Sequence, residues 1–170
     1  ADIGIPSAVM RRVDGPRVEM LTRRGAAPLV PARSSDSHKG TFGRVLIVAG
    51  STGRTGAAIL AARAALRSGA GLVTVAAPAS CVPIIAAGGA ELMTMPLPET
   101  PEGTVAVEGL AQVLAFRADA IAVGPGLGNG SSTAAFVHGL VERSGVPIVL
   151  DADGLNAFVD TTGSLVGRDD

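Results

Sequence analysis

Short apolar stretches recur along this chain, and most of them lack the alternation of polar and apolar residues that marks a half-exposed strand. Five such stretches predict strands buried on both faces: residues 44–49, 71–77, 91–95, 119–123 and 146–150. The stretches between them are rich in alanine or have apolar residues at helical spacing, which predicts four helices: residues 57–68, 79–87, 105–117 and about 131–143. Strands that alternate with helices in this way predict an α/β fold, with a mainly parallel sheet between two layers of helices.

The first predicted strand ends in a glycine-rich loop, residues 50–56. Gly50, Gly53 and Gly56 leave little side-chain bulk there, and Gly69 is suited to end the following helix in a left-handed conformation. A glycine-rich loop before a helix lets backbone N–H groups approach an anionic ligand. The same glycines also suit a tight turn, and their spacing matches neither the P-loop nor the G-x-G-x-x-G pattern. Both interpretations of this loop stay open.

A second glycine-rich loop, residues 124–130, follows the fourth predicted strand. Three of its glycines are candidates for contact with a ligand: Gly124, Gly126 and Gly128. We expect Ser131 and Ser132 to cap the helix that follows. Because ligands of parallel α/β sheets bind beyond the carboxyl ends of the strands, both glycine-rich loops are expected at one edge of the sheet. Two such loops suit a large anionic or flat ligand, since no side chain would stand between it and the backbone amides.

Acidic and amide side chains follow the last predicted strand. Asp151, Asp153 and Asn156 could hold a magnesium shell or orient a hydroxyl group. Asp153 is the candidate metal ligand, and its structural alternative is to cap a helix. Lys39, beside His38 and before the first strand, is a candidate phosphate contact, with solvated linker charge as the alternative. No spacing typical of a zinc site or of a Ser-His-Asp triad is present.

The composition narrows the functional classes. Hydrophobic residues make up 47% of the chain, charged residues 17% and aromatic residues 2%, and the formal net charge is −1. With so few aromatic residues and no basic cluster, nucleic-acid binding is not expected. A membrane span is not expected either, because no apolar run is long enough. Cys81, the single cysteine, is expected in the core and predicts a reducing, cytoplasmic compartment. His138 lies inside a predicted helix and is expected to pack there.

Four segments, taken together and in this order, resemble one family. They are SHKGTFGRVLIVAGS from Ser37, TGAAILAARAALRSGAGLVTVA from Thr55, GPGLG at 124–128 and LDADGLN at 150–156. They resemble the dehydratase domain that acts on hydrated NAD(P)H and belongs to the ribokinase-like superfamily. The resemblance covers residues 37–158 and implies a ribokinase-like three-layer α/β/α sandwich.

The resemblance implies an enzyme that repairs nicotinamide cofactors. Members of this family use ADP or ATP, assisted by Mg²⁺, to dehydrate the S epimer of NADHX or NADPHX. The hydroxyl group of the hydrated nicotinamide ring is phosphorylated and then lost as phosphate. By motif, Ala58 and Gly128 would contact the hydrated cofactor. Asp151, Asp153 and Asn156 would shape the floor of the site or the magnesium environment.

The resemblance also predicts a domain organisation. Residues 1–36 would be the tail of a preceding epimerase-like domain plus a linker, and residues 37–170 the N-terminal part of the dehydratase domain. The GTGD segment of the family, which carries its catalytic aspartate, does not occur in this sequence. The fold is therefore expected to be truncated at its C-terminus, and the catalytic residue stays unknown. The whole protein would bind small-molecule nucleotides, form a homo-oligomer and carry a fused epimerase domain.

Other functions stay open on the residues alone. A ribokinase-like kinase of a small hydroxylated metabolite would share the fold and would release a stable phosphorylated product. A non-catalytic nucleotide-binding module would bind NADH or ADP without turnover. An NAD-dependent oxidoreductase is disfavoured, because G-x-G-x-x-G is absent and no acidic residue follows the second predicted strand at the position that would hold the ribose.

Overall fold

The structure is a computed structural model, and it describes most of the chain: residues 7–10, 12, 20–30, 32 and 34–165. The chain divides into two compact units, residues 1–33 and residues 34–170. None of the described helices is long and apolar enough to cross a membrane.

In the first unit, the described residues form two helices of one turn each, α1 (Ser7–Met10) and α2 (Arg23–Ala26). Helix α2 is capped by Thr22, whose Oγ1 accepts a hydrogen bond from the backbone N–H of Gly25 at 3.1 Å. The assignment of residues 1–36 to an epimerase-like tail and linker stays a prediction, and part of that stretch lies outside the described residues.

The described part of the second unit alternates strands with helices, as the apolar pattern predicted. The strands are β1 (Arg44–Val48), β2 (Leu72–Pro78), β3 (Met93–Leu97), β4 (Ala120–Val123) and β5 (Ile148–Leu150). The helices are α3 (Thr55–Ser68), α4 (Val82–Ala87), α5 (Leu110–Ala115), α6 (Ser131–Arg143) and α7 (Asp153–Asn156). Gly69 ends α3 with a φ of 115°, in the left-handed conformation that the sequence predicted.

The five strands form one sheet in the order β3-β2-β1-β4-β5, and every neighbouring pair is parallel. The central strand β1 pairs on both sides, so that Val45 lies opposite Val73 of β2 and opposite Ala120 of β4. The prediction of a mainly parallel sheet is confirmed.

Successive residues of β1 point to opposite faces of the sheet and enter two separate cores. Leu46 and Val48 pack in a core that contains Phe136 and Leu140 of α6. Ile47 and Ala49 pack in a second core, which includes Ala58 and Ala62 of α3, and Cys81 and Ile85 next to and within α4. Both faces of the sheet are thus covered by helices, which gives the expected three layers. Cys81 is 2% exposed, so its predicted place in the core is confirmed.

Two predicted elements have different bounds in the structure. Strand β3 begins two residues later than the predicted 91–95 and includes Pro96, which an edge strand tolerates because its outward side needs no N–H donor. The helix predicted at 105–117 is shorter, since Val105 is buried and pairs with Glu99 in an isolated antiparallel bridge. A 3-10 turn, Val107–Gly109, follows before α5 begins.

The strand order creates a crevice between β1 and β4. The chain leaves β1 towards α3 and β2 on one side, whereas β4 leads to α6 and β5 on the other. Because α3 and α6 cover opposite faces, the loops that follow β1 and β4 diverge at the carboxyl ends of these strands. Such a switch point is where open α/β sheets bind their ligands.

Candidate ligand-binding site

The loops after β1 and β4 meet at this crevice and are joined by two hydrogen bonds. The N–H of Gly50 donates to the carbonyl oxygen of Pro125 at 2.8 Å. The hydroxyl group of Ser51, a residue 1% exposed, donates to the carbonyl oxygen of Gly126 at 2.8 Å. The structure therefore brings the two glycine-rich loops together, as the sequence predicted for the carboxyl edge of the sheet.

The glycines of the second loop lie at points of close approach. Gly124 has a φ of 134°, and a Cβ there would lie 1.7 Å from the carbonyl oxygen of Asp151. A Cβ at Gly126 would lie 3.0 Å from the Cβ of Ala57, at the start of α3. Gly128 has a φ of 85° and lies under the guanidinium group of Arg54. The first loop is more open, because a Cβ at Gly53 or at Gly56 would meet no atom within 4 Å.

A cavity of about 440 Å³ opens beside the joined loops. Its walls come from both loops, from the segment after β3 and from the start of α6. Apart from two glycines, the lining residues are polar: Ser51, Thr52, Arg54, Thr100, Glu102, Thr104, Gly128, Asn129, Gly130, Ser131 and Ser132. The volume is within the usual range of small-molecule sites, about 300–1,000 Å³. The hydroxyl-rich lining suits a sugar or a phosphate group better than an apolar ring.

The start of α6 faces this cavity without a capping side chain. The N-cap residue is Gly130, and the prediction that Ser131 and Ser132 cap the helix is wrong. The Ser132 hydroxyl oxygen instead accepts a hydrogen bond from the N–H of Val107 at 2.9 Å, which fixes the turn before α5. The N–H groups of the first turn of α6 therefore remain available to an anion.

Arg54 is the positively charged residue of the cavity wall, and the sequence analysis did not single it out. Its Nη1 atom lies 3.1 Å from the position that a Cβ of Gly128 would occupy, so the side chain spans from the first loop to the second. Within the described residues, Arg54 forms no ion pair. The sequence could have indicated Arg54, because it is the one charged residue in the glycine-rich loop 50–56 and it directly precedes a predicted helix.

The segment after β3 forms the outer wall, and hydrogen bonds hold it at both ends. The N–H of Thr52 donates to the carbonyl oxygen of Gly103 at 3.0 Å. The backbone N–H and the hydroxyl group of Ser80 both donate to Oε2 of Glu99, at 3.0 and 2.7 Å. These two bonds stabilise the carboxylate and hold the pKa of Glu99 below its usual value.

A ladder of threonine hydroxyl groups ties the same wall to α6. Thr133, 1% exposed, donates its hydroxyl hydrogen to the carbonyl oxygen of Val105 at 2.8 Å. The Oγ1 atom of Thr104 lies 2.9 Å from that of Thr133 and 2.9 Å from that of Thr100. The position of the wall therefore depends on one buried hydroxyl group in α6.

Asp153 lies at the first position of α7 and reaches across to the second loop. Its Oδ2 accepts a hydrogen bond from the backbone N–H of Gly128 at 2.8 Å, and its Oδ1 accepts one from Nδ2 of Asn156 at 3.1 Å. The N-cap of α7 is Ala152 and has no capping side chain, so the helix-capping alternative for Asp153 does not hold. Asp153, Asn156 and Gly128 also line a smaller cavity of about 110 Å³.

Asp151 contributes to the site through its backbone. Its carbonyl oxygen packs against Gly124 and accepts a hydrogen bond from the N–H of Gly154 at 2.8 Å, whereas its side chain is exposed. Among the described residues, no group of three or more His, Cys, Asp or Glu side chains could hold a metal ion. The assignment of Asp153 as a metal ligand stays a prediction.

Among the predicted site residues, Gly128 lines the larger cavity, whereas Ala58 and Lys39 line neither of the two cavities. Ala58 is 0% exposed and packs in the core under α3, so its predicted contact with a substrate stays a prediction. Lys39 lies in the 3-10 turn Lys39–Phe42 before β1, and its carbonyl oxygen packs against Gly71, just before β2. Lys39 precedes β1 and Gly71 precedes β2, so both lie at the amino ends of the strands. Lys39 is therefore at the opposite edge of the sheet from the glycine-rich loops. Its role as a phosphate contact in this site is not supported.

His138 packs as the sequence predicted. Its Nε2 donates a hydrogen bond to the carbonyl oxygen of Ala157 at 2.6 Å, and its ring stacks on Phe158 with 4.3 Å between the centroids. Phe158 is 3% exposed and packs in the core, and His138 lies in α6. This stack therefore holds the segment after α7 against α6.

Comparison with known proteins identifies the family. The family model described as NAD(P)H-hydrate dehydratase matches residues 45–165. The bifunctional NAD(P)H-hydrate repair enzyme of Moorella thermoacetica is 45% identical over 169 residues, which are 98% of this chain and 32% of that protein. The ATP-dependent (S)-NAD(P)H-hydrate dehydratase of Bos taurus is 41% identical over 130 residues, which are 75% of this chain and 38% of that protein.

Solved structures give the same result for the fold. The crystal structure of the ADP/ATP-dependent NAD(P)H-hydrate dehydratase of Bacillus subtilis, co-crystallised with ATP and Mg²⁺, superposes with a TM-score of 0.64 at 30% identity, over 79% of this chain and 46% of that one. A ribokinase-like superfamily protein of Enterococcus faecalis superposes with a TM-score of 0.66 at 26% identity, over 78% of this chain and 45% of that one. The chain spans less than half the length of each of these relatives. The predicted ribokinase-like fold is confirmed, and the chain belongs to the NAD(P)H-hydrate dehydratase family.

Proposed function

We propose that the protein carrying this chain repairs hydrated nicotinamide cofactors, by removing water from (S)-NADHX or NADPHX in a reaction driven by ADP or ATP. The observation that carries the proposal is the polar cavity at the β1/β4 switch point, in a chain of the NAD(P)H-hydrate dehydratase family. Relatives that match most of this chain are named for the dehydratase or repair activity.

The cavity suits the phosphate and ribose groups of a dinucleotide. Arg54 offers a guanidinium group, which stays charged at all physiological pH values and can form paired hydrogen bonds to phosphate. The N–H groups at the start of α6 face the same space. The hydroxyl groups of Thr52, Thr100 and Ser132 can bond to sugar oxygens.

The predicted substrate-binding residues have different roles in this proposal. Gly124 and Gly126 shape the second loop, and Gly128 lines the cavity directly. Asp151 and Asn156 are exposed beside the loop and remain available to a ligand. Any contribution of Ala58 would come through α3, whose start packs against the second loop near Gly126.

The nucleotide that drives the reaction and its Mg²⁺ ion belong to the proposal for the whole protein. The related dehydratase of Bacillus subtilis was co-crystallised with ATP and Mg²⁺, which supports this pair of ligands. Because the described residues contain no cluster of metal-binding side chains, we assign the ion no ligands in this part of the chain. A fused epimerase domain, a cytoplasmic location and a homo-oligomer belong to the same proposal; the relative from Moorella thermoacetica is named as bifunctional, which supports a second domain.

The test is a repair assay on the protein that carries this chain. Hydrated NADH is supplied with ADP or ATP and Mg²⁺, and the absorbance of reduced nicotinamide is followed. Return of that absorbance, dependent on ADP or ATP, is the expected result. A stable phosphorylated product without reduced nicotinamide would show a kinase of the same fold instead. Binding without either product would show a non-catalytic module.

A further inference from the structure

We propose that Asp153 is a positioning residue that holds the second glycine-rich loop, residues 124–130, in its binding geometry, and that it is not a magnesium ligand. The kinetic test of this inference rests on the proposed function. The structural test does not, because the geometry of the loop can be measured without activity.

Both carboxylate oxygens of Asp153 are engaged within the chain. Oδ2 accepts from the N–H of Gly128, and Oδ1 accepts from Nδ2 of Asn156, at 2.8 and 3.1 Å. Gly128 is buried, so its N–H would lack any partner in the chain if the carboxylate turned away to a metal ion. An unpaired buried N–H is unfavourable, and a hydrogen bond to an ionised carboxylate is stronger than one to a neutral acceptor.

The last part of the second loop depends on this bond because the other fixed points of the loop precede Gly128 in the chain. Leu127 is 0% exposed and anchors the loop in the core. Its N–H donates to the carbonyl oxygen of Gly124 at 3.1 Å, which closes the turn. Gly128 comes next, with a positive φ, and directs the chain towards the start of α6. The carboxylate of Asp153 is therefore the contact that sets the last part of the loop.

Helix α7 holds Asp153 firmly enough for this role. The carbonyl oxygen of Ala157, just after α7, accepts a hydrogen bond from Nε2 of His138. The His138 ring stacks on Phe158, which is buried. At the other end, the N–H of Asp151 donates to the carbonyl oxygen of Val123 in β4, and the N–H of Gly154 donates to the carbonyl oxygen of Asp151. Both ends of this single-turn helix are thus fixed to the core, and Asp153 has a defined direction.

A magnesium role for Asp153 fits the structure less well. Mg²⁺ needs near-octahedral oxygen ligation and is usually held by one or two carboxylates together with substrate phosphates. Both oxygens of the Asp153 carboxylate already accept hydrogen bonds from the chain, so a metal ion there would have to displace the N–H of Gly128 or the amide group of Asn156.

The kinetic test compares Asp153→Asn with Asp153→Ala in the protein that carries this chain. The asparagine keeps a carbonyl oxygen for the Gly128 N–H, and the Asn156 amide can turn to accept from the new NH₂ group. We expect the asparagine variant to keep the KM for hydrated NADH within about threefold and to need the same Mg²⁺ concentration for half-maximal activity. The alanine variant should raise the KM by about tenfold. A rise of about tenfold or more in the Mg²⁺ requirement of the asparagine variant would overturn the proposal.

The structural test is hydrogen exchange at the Gly128 amide in the same variants. Exchange should accelerate by about tenfold in Asp153→Ala and stay near the wild-type rate in Asp153→Asn. Asp160→Asn is the matched control, because Asp160 is an exposed aspartate in the segment that follows α7, and it should leave the exchange unchanged. If the wild-type protein shows no repair but the Gly128 exchange depends on Asp153, only the proposed function fails. If the exchange is the same in all variants, the positioning role fails.

Discussion

The carbonyl oxygen of Asp151 lies where Gly124 would carry a side chain: a Cβ at Gly124 would be 1.7 Å from that oxygen. The two residues end adjacent parallel strands, β4 and β5, and the N–H of Asp151 donates to the carbonyl oxygen of Val123 at 3.1 Å. This close approach brings the acidic loop against the second glycine-rich loop, and it places Asp153 within reach of Gly128.

Replacing Gly124 with alanine should destabilise the fold. The new Cβ would clash with backbone atoms and would have to adopt a φ of 134°, so we expect the free energy of unfolding to fall by about 2–4 kcal/mol. Urea denaturation followed by circular dichroism measures this. The matched control is Gly56→Ala in α3, where a Cβ meets no atom within 4 Å and should be neutral or stabilise by up to about 1 kcal/mol. Equal effects of the two changes would contradict the close approach.

Replacing Arg54 with glutamine should weaken the binding of a phosphate-bearing nucleotide. Loss of a charge-assisted hydrogen bond to phosphate predicts an affinity lower by about tenfold, with Arg54→Lys intermediate because lysine keeps the charge but not the planar fork. Calorimetric titration with NADPH, as a stable analogue of the hydrated cofactor, provides the measurement. Arg67→Gln, in the last turn of α3, is the control and should leave the affinity unchanged. An unchanged affinity in Arg54→Gln would remove this side chain from the site.

Acid should loosen the outer wall of the cavity through Glu99. Hydrogen bonds from the Ser80 N–H and hydroxyl group lower the pKa of Glu99 in the folded protein below its usual 4.5. Its stabilising contribution is therefore fully present above pH 4.5 and is lost as the pH falls through the lowered folded value. We expect the Gly103 amide, which bonds to the carbonyl oxygen of Thr100, to lose protection against exchange in that range.

The control for this pH effect is Glu99→Gln, which removes the titrating group. In that variant the protection of Gly103 should be lower at neutral pH and should change little between neutral and acid pH. An identical acid response in wild type and variant would exclude Glu99 as its cause.

Replacing Thr133 with valine should displace the same wall from the side of α6. Valine has nearly the same shape but cannot donate to the carbonyl oxygen of Val105, so a buried acceptor and the Thr104 hydroxyl group lose their partner. We expect a loss of about 1–3 kcal/mol in the free energy of unfolding, measured by denaturation. Thr133→Ser keeps the hydroxyl group and should recover most of that loss. Equal stabilities of the valine and serine variants would show that packing, not the hydroxyl ladder, fixes the wall.

The sequence predicts local structure well where the helix-forming tendency of a segment and the residues at its ends indicate the same element. Helix α3 combines alanine, leucine and arginine with a terminal glycine, and its bounds agree to within two residues. The prediction for β3 is less accurate: it ends at residue 95, whereas the structure extends this edge strand through Pro96 to Leu97. The helix predicted from Val105 begins late because Val105 pairs with Glu99 in an antiparallel bridge, which extends the backbone there.

The sequence predicts the candidate site only in outline, because its decisive contacts join distant segments. The two glycine-rich loops could be assigned to one edge from strand order in general. The bond from Gly128 to Asp153 spans 25 residues, and the position of Arg54 over Gly128 depends on the loops after β1 and β4 being joined. Lys39 precedes β1 and so lies at the amino edge of the sheet, away from both loops; its contact with a phosphate group stays a prediction. Ser132 was taken for a cap, since its partner Val107 is also 25 residues away.

The most direct test of this account maps ligand binding onto the fold by NMR. NADPH is titrated into the isotope-labelled chain, and the backbone amide shifts are followed. We expect the largest shifts at residues 50–56, 100–104 and 124–132, around the cavity at the carboxyl ends of β1 and β4. Shifts concentrated instead near Lys39 and Gly71, at the opposite edge of the sheet, would contradict the proposed location of the site.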